Sequence, residues 1–286
     1  MSVLFIDTDC ELPYERAEEV GITNVIKMPY TICGKEYFYD LGKTYNAKEF
    51  FTLVRQGNMP ITSGLNSEIY REYFEPFFKL GEDILYLSFS SQLSGTFKYL
   101  DIAIKDLSAQ YPKAVFRRFD TKSISMGAGL PIYVAAKMHN EGKTNDEIID
   151  FLTGFIKRVR CVFSPSDLFH LKRGGRISGA SATFGTMLQI KPIIRVNTEG
   201  KLVNTAKIQG KNKMLNSLAD EVIQNVRDID KYPIVVMDAD SKADSIKISD
   251  KIKASIPDAD IWIYDIGPVI GTHCGADTIG IIYVSD

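Results

Sequence analysis

The sequence predicts an α/β protein of two domains. Residues 1–160 form an N-terminal Rossmann-like parallel sheet with flanking helices, and residues 161–286 a C-terminal α/β domain with a mixed or antiparallel sheet. Three observations lead there. In the first half, short apolar runs alternate with stretches of helical period, the pattern of crossover units whose strands pair in parallel. In the second half, two strand-like runs flank Asn197-Thr198-Glu199-Gly200, a turn that suits antiparallel neighbours. A chain of 286 residues, 45% of them hydrophobic, has material for two cores.

Strands are expected at residues 3–6, 24–28, 84–89 and 115–119, then at 161–163, 192–196, 234–237, 261–264 and 279–284. Tyr30 to Tyr39 alternates about Cys33-Gly34 and reads as a hairpin. Asn46 is placed to cap a helix over 47–56, because an Asn oxygen can take one of the first helical N–H groups. Ser67 opens a helix whose apolar positions are Ile69, Tyr73, Phe74 and Phe77 and which stops near Gly81. Thr144 and Glu147 have capping-box spacing ahead of Ile148, Ile149, Leu152 and Ile156. Asp240 is the expected cap of a helix carrying Ile246, Ile248 and Ile252. The boundary between domains is expected near residue 160.

Several functions are excluded. A net charge of -2 with dispersed basic residues does not suit nucleic-acid binding by phosphate neutralisation. No apolar run approaches the ~20 residues of a spanning helix, so no integral membrane segment is expected. The N-terminal Met1-Ser2-Val3-Leu4-Phe5-Ile6-Asp7 reads as a strand, not an export signal. Cys10, Cys33, Cys161 and Cys274 have no metal-ligand spacing and are expected as reduced thiols. The expectation is a cytoplasmic protein without metal or cofactor.

Five segments concentrate small hydroxyl and glycine residues beside strands: Asp7-Thr8-Asp9; Pro60-Ile61-Thr62-Ser63; Ser88-Phe89-Ser90-Ser91-Gln92-Leu93-Ser94-Gly95-Thr96; Asp120-Thr121-Lys122-Ser123-Ile124-Ser125-Met126-Gly127; and Ile266-Gly267-Pro268-Val269-Ile270-Gly271-Thr272-His273-Cys274-Gly275. Open α/β sheets bind ligands at the carboxyl ends of strands, and hydroxyls with bare N–H groups at a helix start suit an anion. Each loop taken alone is also read as an ordinary helix cap. None is a Walker A or dinucleotide fingerprint. His139 reads as a solvated surface residue and His170 as a structural or rim residue. His273, in the glycine-rich loop, is either structural or turned to a ligand. Ser94 and His273 could on paper serve an acyl-ester hydrolase, though no nucleophile elbow is present. Leu171-Lys172-Arg173-Gly174-Gly175-Arg176-Ile177-Ser178 puts three cations around a turn, either a solvated loop or an anion contact or docking surface for an acidic partner.

Together these segments resemble the DegV family of fatty-acid-binding proteins, along essentially the whole chain. The resemblance implies one long-chain fatty acid held between two α/β domains, its tail in an apolar tunnel. It also implies that Thr62, Ser94 and His273 hold the carboxylate, with Ser63, Gly95, Thr96 and Thr272 as neighbours. It implies no catalytic residue of the chain's own, and presentation of the acid to a separate ATP-dependent fatty acid kinase subunit that makes an acyl phosphate, in phospholipid precursor metabolism. Arg173, Arg176 and Lys207 would then contact that partner or the phosphoryl group, and transient membrane contact is compatible with such a carrier. A tail of ~14 methylenes at ~0.8 kcal/mol each supplies on the order of 11 kcal/mol before ordering losses. Two departures stand out: Gln209 takes the place of a family arginine in Lys207-Ile208-Gln209, and Cys274-Gly275-Ala276-Asp277 replaces a Gly-Pro-Gly type run. The first opens a second reading, a lipid sensor that does not hand its ligand on. The second places Asp277 where it either orients His273 or repels an anion.

Overall fold

The structure is a computed structural model that describes residues 2–166, 168–177 and 189–286. Asp167 and Ser178 lie outside the described residues. The chain forms two compact units: residues 1–44 with 61–157, and residues 45–60 with 158–286. The second thus takes in a segment, 45–60, from the first half of the sequence.

In the first unit, strands β1 (Ser2–Asp7), β2 (Asn24–Ile26), β6 (Asp83–Ser88) and β7 (Val115–Asp120) make a wholly parallel sheet in the order β2-β1-β6-β7. Parallel pairing needs crossovers, which here include α1 (Tyr14–Glu19), α3 (Ser67–Leu80) and α4 (Phe97–Gln110). Helices α5 (Met126–Asn140) and α6 (Asn145–Phe155) follow β7. The core is aromatic: Phe74 of α3 lies 4.7 Å from Phe5, 6.0 Å from Tyr86 and 5.1 Å from Phe116, ring centre to ring centre. Residues 126–133 of α5 are all buried, as a helix apolar on every side must be. Thr144 and Glu147 form the expected capping box at the start of α6. His139 is half-buried, its Nε2 3.3 Å from the Ser2 carbonyl oxygen. Strands β3 (Pro29–Ile32), β4 (Lys35–Phe38) and β5 (Ile61–Thr62) add a small antiparallel sheet, with the hairpin turning at Cys33-Gly34 as expected.

The second unit contains a mixed sheet of β8 (Val159–Ser164), β9 (Ile190–Val196), β10 (Leu202–Gln209), β11 (Ile234–Asp238), β12 (Ile261–Asp265) and β13 (Ile279–Val284), in the order β10-β9-β8-β13-β11-β12. Only β11 and β12 pair in parallel. On one face Val162, Ile193, Ile234, Val236, Ile279 and Ile281 pack with Met214, Leu218 and Val222 of α8 (Lys211–Asn225) and with Ile248 and Ile252 of α9 (Lys242–Ser255). Residues of the opposite parity, Cys161, Ile194, Val235, Met237 and Ile282, are buried as well, which is why these strands read as continuous apolar runs. Two short helices, α7 (Phe169–Arg173) and α10 (Pro268–Cys274), complete the unit with α2 (Ala47–Arg55). Among the described residues no helix is long and apolar enough to cross a membrane, and no disulfide joins the four cysteines.

Helix α2 shows why residues 45–60 belong to this unit. Asn46 caps it by accepting the Glu49 N–H at 3.1 Å, and Phe50 and Phe51 are buried. Arg55 pairs with Asp240 and, at 2.7 Å, with Asp277. Asp240 therefore does not cap α9, contrary to the sequence expectation. Its carboxylate takes a charge-assisted bond to a guanidinium. The buried Asp238 serves the helix start instead, accepting the Ser241 N–H at 2.8 Å and the Ser245 hydroxyl at 2.7 Å. The same arginine donates to Asp277, for which the sequence left two readings, orienting His273 or repelling an anion.

Where α2 crosses α10 there is no spare volume. A methyl group at Gly271 would sit 2.8 Å from Cζ of Phe51 and 3.1 Å from Cε1 of Phe50. Gly271→Ala should destabilise the protein by about 1–3 kcal/mol through overpacking, read by chemical unfolding. A variant as stable as wild type would show that the two rings can move aside.

Candidate functional site

In the first unit the hydroxyl-rich loops interlock at the carboxyl edge of the parallel sheet. Asp7, at the end of β1, is fully buried and accepts hydrogen bonds from the Asp9 N–H at 3.0 Å, the Tyr86 hydroxyl at 2.8 Å and the Phe89 N–H at 3.1 Å. Burial pushes its carboxyl up to about 7, while those donors pull the other way. The loop after β6 joins the loop after β7 through the Ser90 N–H on the Ser123 carbonyl at 2.7 Å, and through Ser91 on Asp120 at 2.6 Å. The latter returns to the first loop: Ser125 donates to Glu11 through its hydroxyl and to the Asp9 carbonyl through its N–H at 2.9 Å.

The segment that follows Thr62-Ser63 meets the Ser94-Gly95-Thr96 turn at this edge through Leu65 and Thr96. Thr96 is buried, and its hydroxyl accepts the Leu65 N–H at 3.0 Å and lies 2.9 Å from the Tyr70 hydroxyl. It is thus a strut between the two loops. Tyr70 carried no signal in the sequence beyond its place among apolar helix positions. Ser94 is half-buried, and its oxygen accepts the Thr96 N–H at 3.2 Å, so it caps the turn into α4. Gly95 is exposed, with nothing within 4 Å of a side chain built on it. Thr62 is half-buried, directly across from Tyr30 in the small sheet, and Tyr30 stacks on Tyr37 at 5.3 Å. Residues directly opposite share a face, so Thr62 lies on the same face of that sheet as Tyr30. Ser63 is exposed.

In the second unit His273 lies in the last turn of α10 against α7 and the segment following it. Its imidazole is driven down to about 3, first by burial and then by the nearby Arg176, Arg173 and His170. The ring is therefore neutral at physiological pH, and positive charge resides on the guanidinium groups. Arg173 donates to the Pro60 carbonyl at 3.0 Å. Arg176 donates to the Gly174 carbonyl. Thr272 is buried and sends its hydroxyl proton to the Pro268 carbonyl at 2.7 Å, one turn back in its own helix. Lys207 is exposed on β10, opposite Pro192, and is not among the groups acting on His273. A surface cavity of about 790 Å³ in this unit, lined by residues including Arg160, Arg195, Glu221 and Arg227, is polar. Arg195 and Glu221 pair within it at 2.5 Å, which does not suit an acyl tail. Among the described residues no His, Cys, Asp and Glu cluster could hold a metal ion.

The sequence model of the DegV family matches residues 2–286. The chain belongs to the DegV family. It is 36% identical over 284 residues to a DegV domain-containing protein, CPE0026, of Clostridium perfringens, covering 99% of this chain and 97% of that one. Among solved structures it is similar to the fatty acid binding DegV family protein SAG1342 of Streptococcus agalactiae. The two are 25% identical, with 100% and 99% of the chains covered and a TM-score of 0.86. It is likewise similar to DegV, a fatty acid binding protein from Bacillus subtilis, at 25% identity, the same coverage and a TM-score of 0.82. The two-layer expectation of a parallel N-terminal sheet and a mixed C-terminal one holds in this DegV chain.

The depressed imidazole fixes a pH dependence. An unfolded His273 takes a proton near pH 6.5, whereas the folded one resists until about 3, so stability falls as pH drops through that interval. Nitrogen-detected imidazole spectra should keep His273 neutral at pH 5. A midpoint near 6.5 would show a solvated ring. Asp7 acts with the opposite sign, its stabilisation being lost as pH rises from 3.8 towards 7. Tyr86→Phe removes a donor from that carboxyl and should raise its midpoint further, with a loss of about 1–3 kcal/mol in stability.

Proposed function

We propose that this DegV protein is a cytoplasmic carrier that binds one long-chain fatty acid and is not itself an enzyme. The observation that carries the reading is the junction between the segment that follows Thr62-Ser63 and the Ser94-Gly95-Thr96 turn, made by the Leu65 N–H on Thr96 at the carboxyl edge of a parallel sheet, where small donors and open backbone suit an acidic head. It is supported by two solved DegV structures of the same fold whose names describe fatty acid binding. A carboxylate leaving water needs several donors, and neutral hydroxyls provide them without burying a counter-charge. Thr62 and Ser94 are the assigned hydroxyl donors, with Ser63, Gly95 and Thr96 around them, and His273 the assigned donor from the second unit beside Thr272. Thr96 and Thr272 act by shaping, since their hydroxyls are committed to Leu65 and Tyr70 and to Pro268.

The acid would be offered to a separate ATP-dependent kinase, with Arg173, Arg176 and Lys207 as contacts for that subunit or for the phosphoryl group. A sensor that binds without handover is the second reading, favoured by Gln209, exposed at the end of β10 and uncharged. Hydrolysis by Ser94 and His273 is disfavoured, because an imidazole near 3 is a feeble general base at neutral pH.

Organic extraction of the purified protein followed by mass spectrometry should return a C14–C18 acid in near-stoichiometric amount. Thr62→Val, Ser94→Ala and His273→Ala should each weaken binding of a fluorescent long-chain acid by about 1–3 kcal/mol, roughly 5–150-fold. Unchanged affinity in all three would remove the head-group assignment. For handover, a cognate kinase should phosphorylate the bound acid in wild type. Activity gained only on Gln209→Arg would favour the sensor.

A further inference from the structure

The Gly174-Gly175 pair carries more than a turn. Gly175 has φ +67, with its N–H on the Lys172 carbonyl at 3.0 Å and the Arg176 N–H on the Leu171 carbonyl at 3.1 Å. These two bonds close α7 in the Schellman manner, and glycine suits that left-handed position. Gly174 has no such need. Its φ of -74° and ψ of -10° are helical, a conformation in which alanine is the better residue. What excludes a side chain there is His273: a methyl group on Gly174 would lie 2.5 Å from its Nδ1 and 3.2 Å from its Cε1.

The relation is reciprocal. Gly275 closes α10, and a methyl group there would lie 2.6 Å from Cδ2 and 3.0 Å from Nε2 of His170, which belongs to α7. Each helix therefore ends on a glycine, and each glycine leaves the room that a histidine of the other helix fills. Helices α7 and α10 pack directly on one another, so the two seatings belong to one contact.

We propose that His170 and Gly174 are positioning residues for His273, the crossed seating of two rings against two glycines fixing the direction in which His273 presents its imidazole to an acidic ligand. The last clause rests on the head-group role of His273 given above; the seating itself does not. The groups that face His273 are Arg173 and Arg176 beside it and His170 across the contact, so a ring released from its seat also changes its distance to two cations.

A cycle of Gly174→Ala and His273→Ala, measured without ligand, tests the seating. In the wild-type background Gly174→Ala should lower the thermal midpoint and shift the His273 imidazole resonances. In the His273→Ala background the same change should raise the midpoint, because only the helical preference for alanine remains. His170→Ala should shift the same resonances, and His170→Phe, which keeps a flat ring against Gly275, should restore them. Equal effects of Gly174→Ala in the two backgrounds, or His273 signals indifferent to His170→Ala, would overturn the seating. With a fluorescent long-chain acid, Gly174→Ala should weaken binding about tenfold in wild type and not at all in His273→Ala. Intact seating with unchanged acid affinity in Gly174→Ala would overturn the presenting role. Unchanged affinity in His273→Ala would instead remove the head-group reading and leave the seating standing.

Discussion

A carboxyl group held wholly out of water at the end of the central strand governs the first unit. Asp7 must be met by donors wherever it sits, because an unsatisfied buried carboxyl costs more than the few kcal/mol by which a domain is stable. Its donors come from the following turn, from Tyr86 inside β6 and from the N–H of Phe89 just beyond β6. Strands β1 and β6 are neighbours whose connections depart to opposite sides of the sheet, the place where open α/β sheets receive ligands. Asp7 thus fixes the start of the loop that ends in Ser94-Gly95-Thr96. Thr96 then carries that order across to Leu65.

The second unit offers a different set of donors. Its histidine is neutral because burial and two neighbouring guanidinium groups both oppose a proton, and this outweighs the preference of a helix C-terminus for a cation. A neutral imidazole still hydrogen-bonds. An anion brought near this group would offset the two cations and draw the imidazole's affinity for protons upward. The inserted helix α2 supports the same region: Phe51 fills the space over Gly271, and Arg55 ties Asp240 to Asp277, two residues of separate loops.

Similarity at 25% identity with a TM-score of 0.86 shows how far side chains can change while the fold persists. Cores tolerate exchange of apolar residues if volume and pattern survive. Contacts such as those of Gly271 with Phe51 or Gly174 with His273 do not tolerate it, because there the backbone of one element touches a ring of another.

Local rules sufficed for what is local. The period of the apolar residues placed the strands, Asn46 and the Thr144–Glu147 pair announced their helix starts, Cys33-Gly34 announced its hairpin, and the loop motifs led to the DegV family. Each depends on residues a few positions apart, whose geometry is set by backbone sterics and short hydrogen bonds. Asp240 was misread as a cap, because Arg55, 185 residues away in sequence, competes for its carboxylate. Long separation in sequence likewise hid the union of 45–60 with the second unit, the bond of Thr96 to Leu65, and the crossed seating of His170 and His273. Those outcomes are settled by which partners tertiary packing brings within 3 Å, and a polar side chain bonds the strongest partner within reach, whatever the sequence around it suggests.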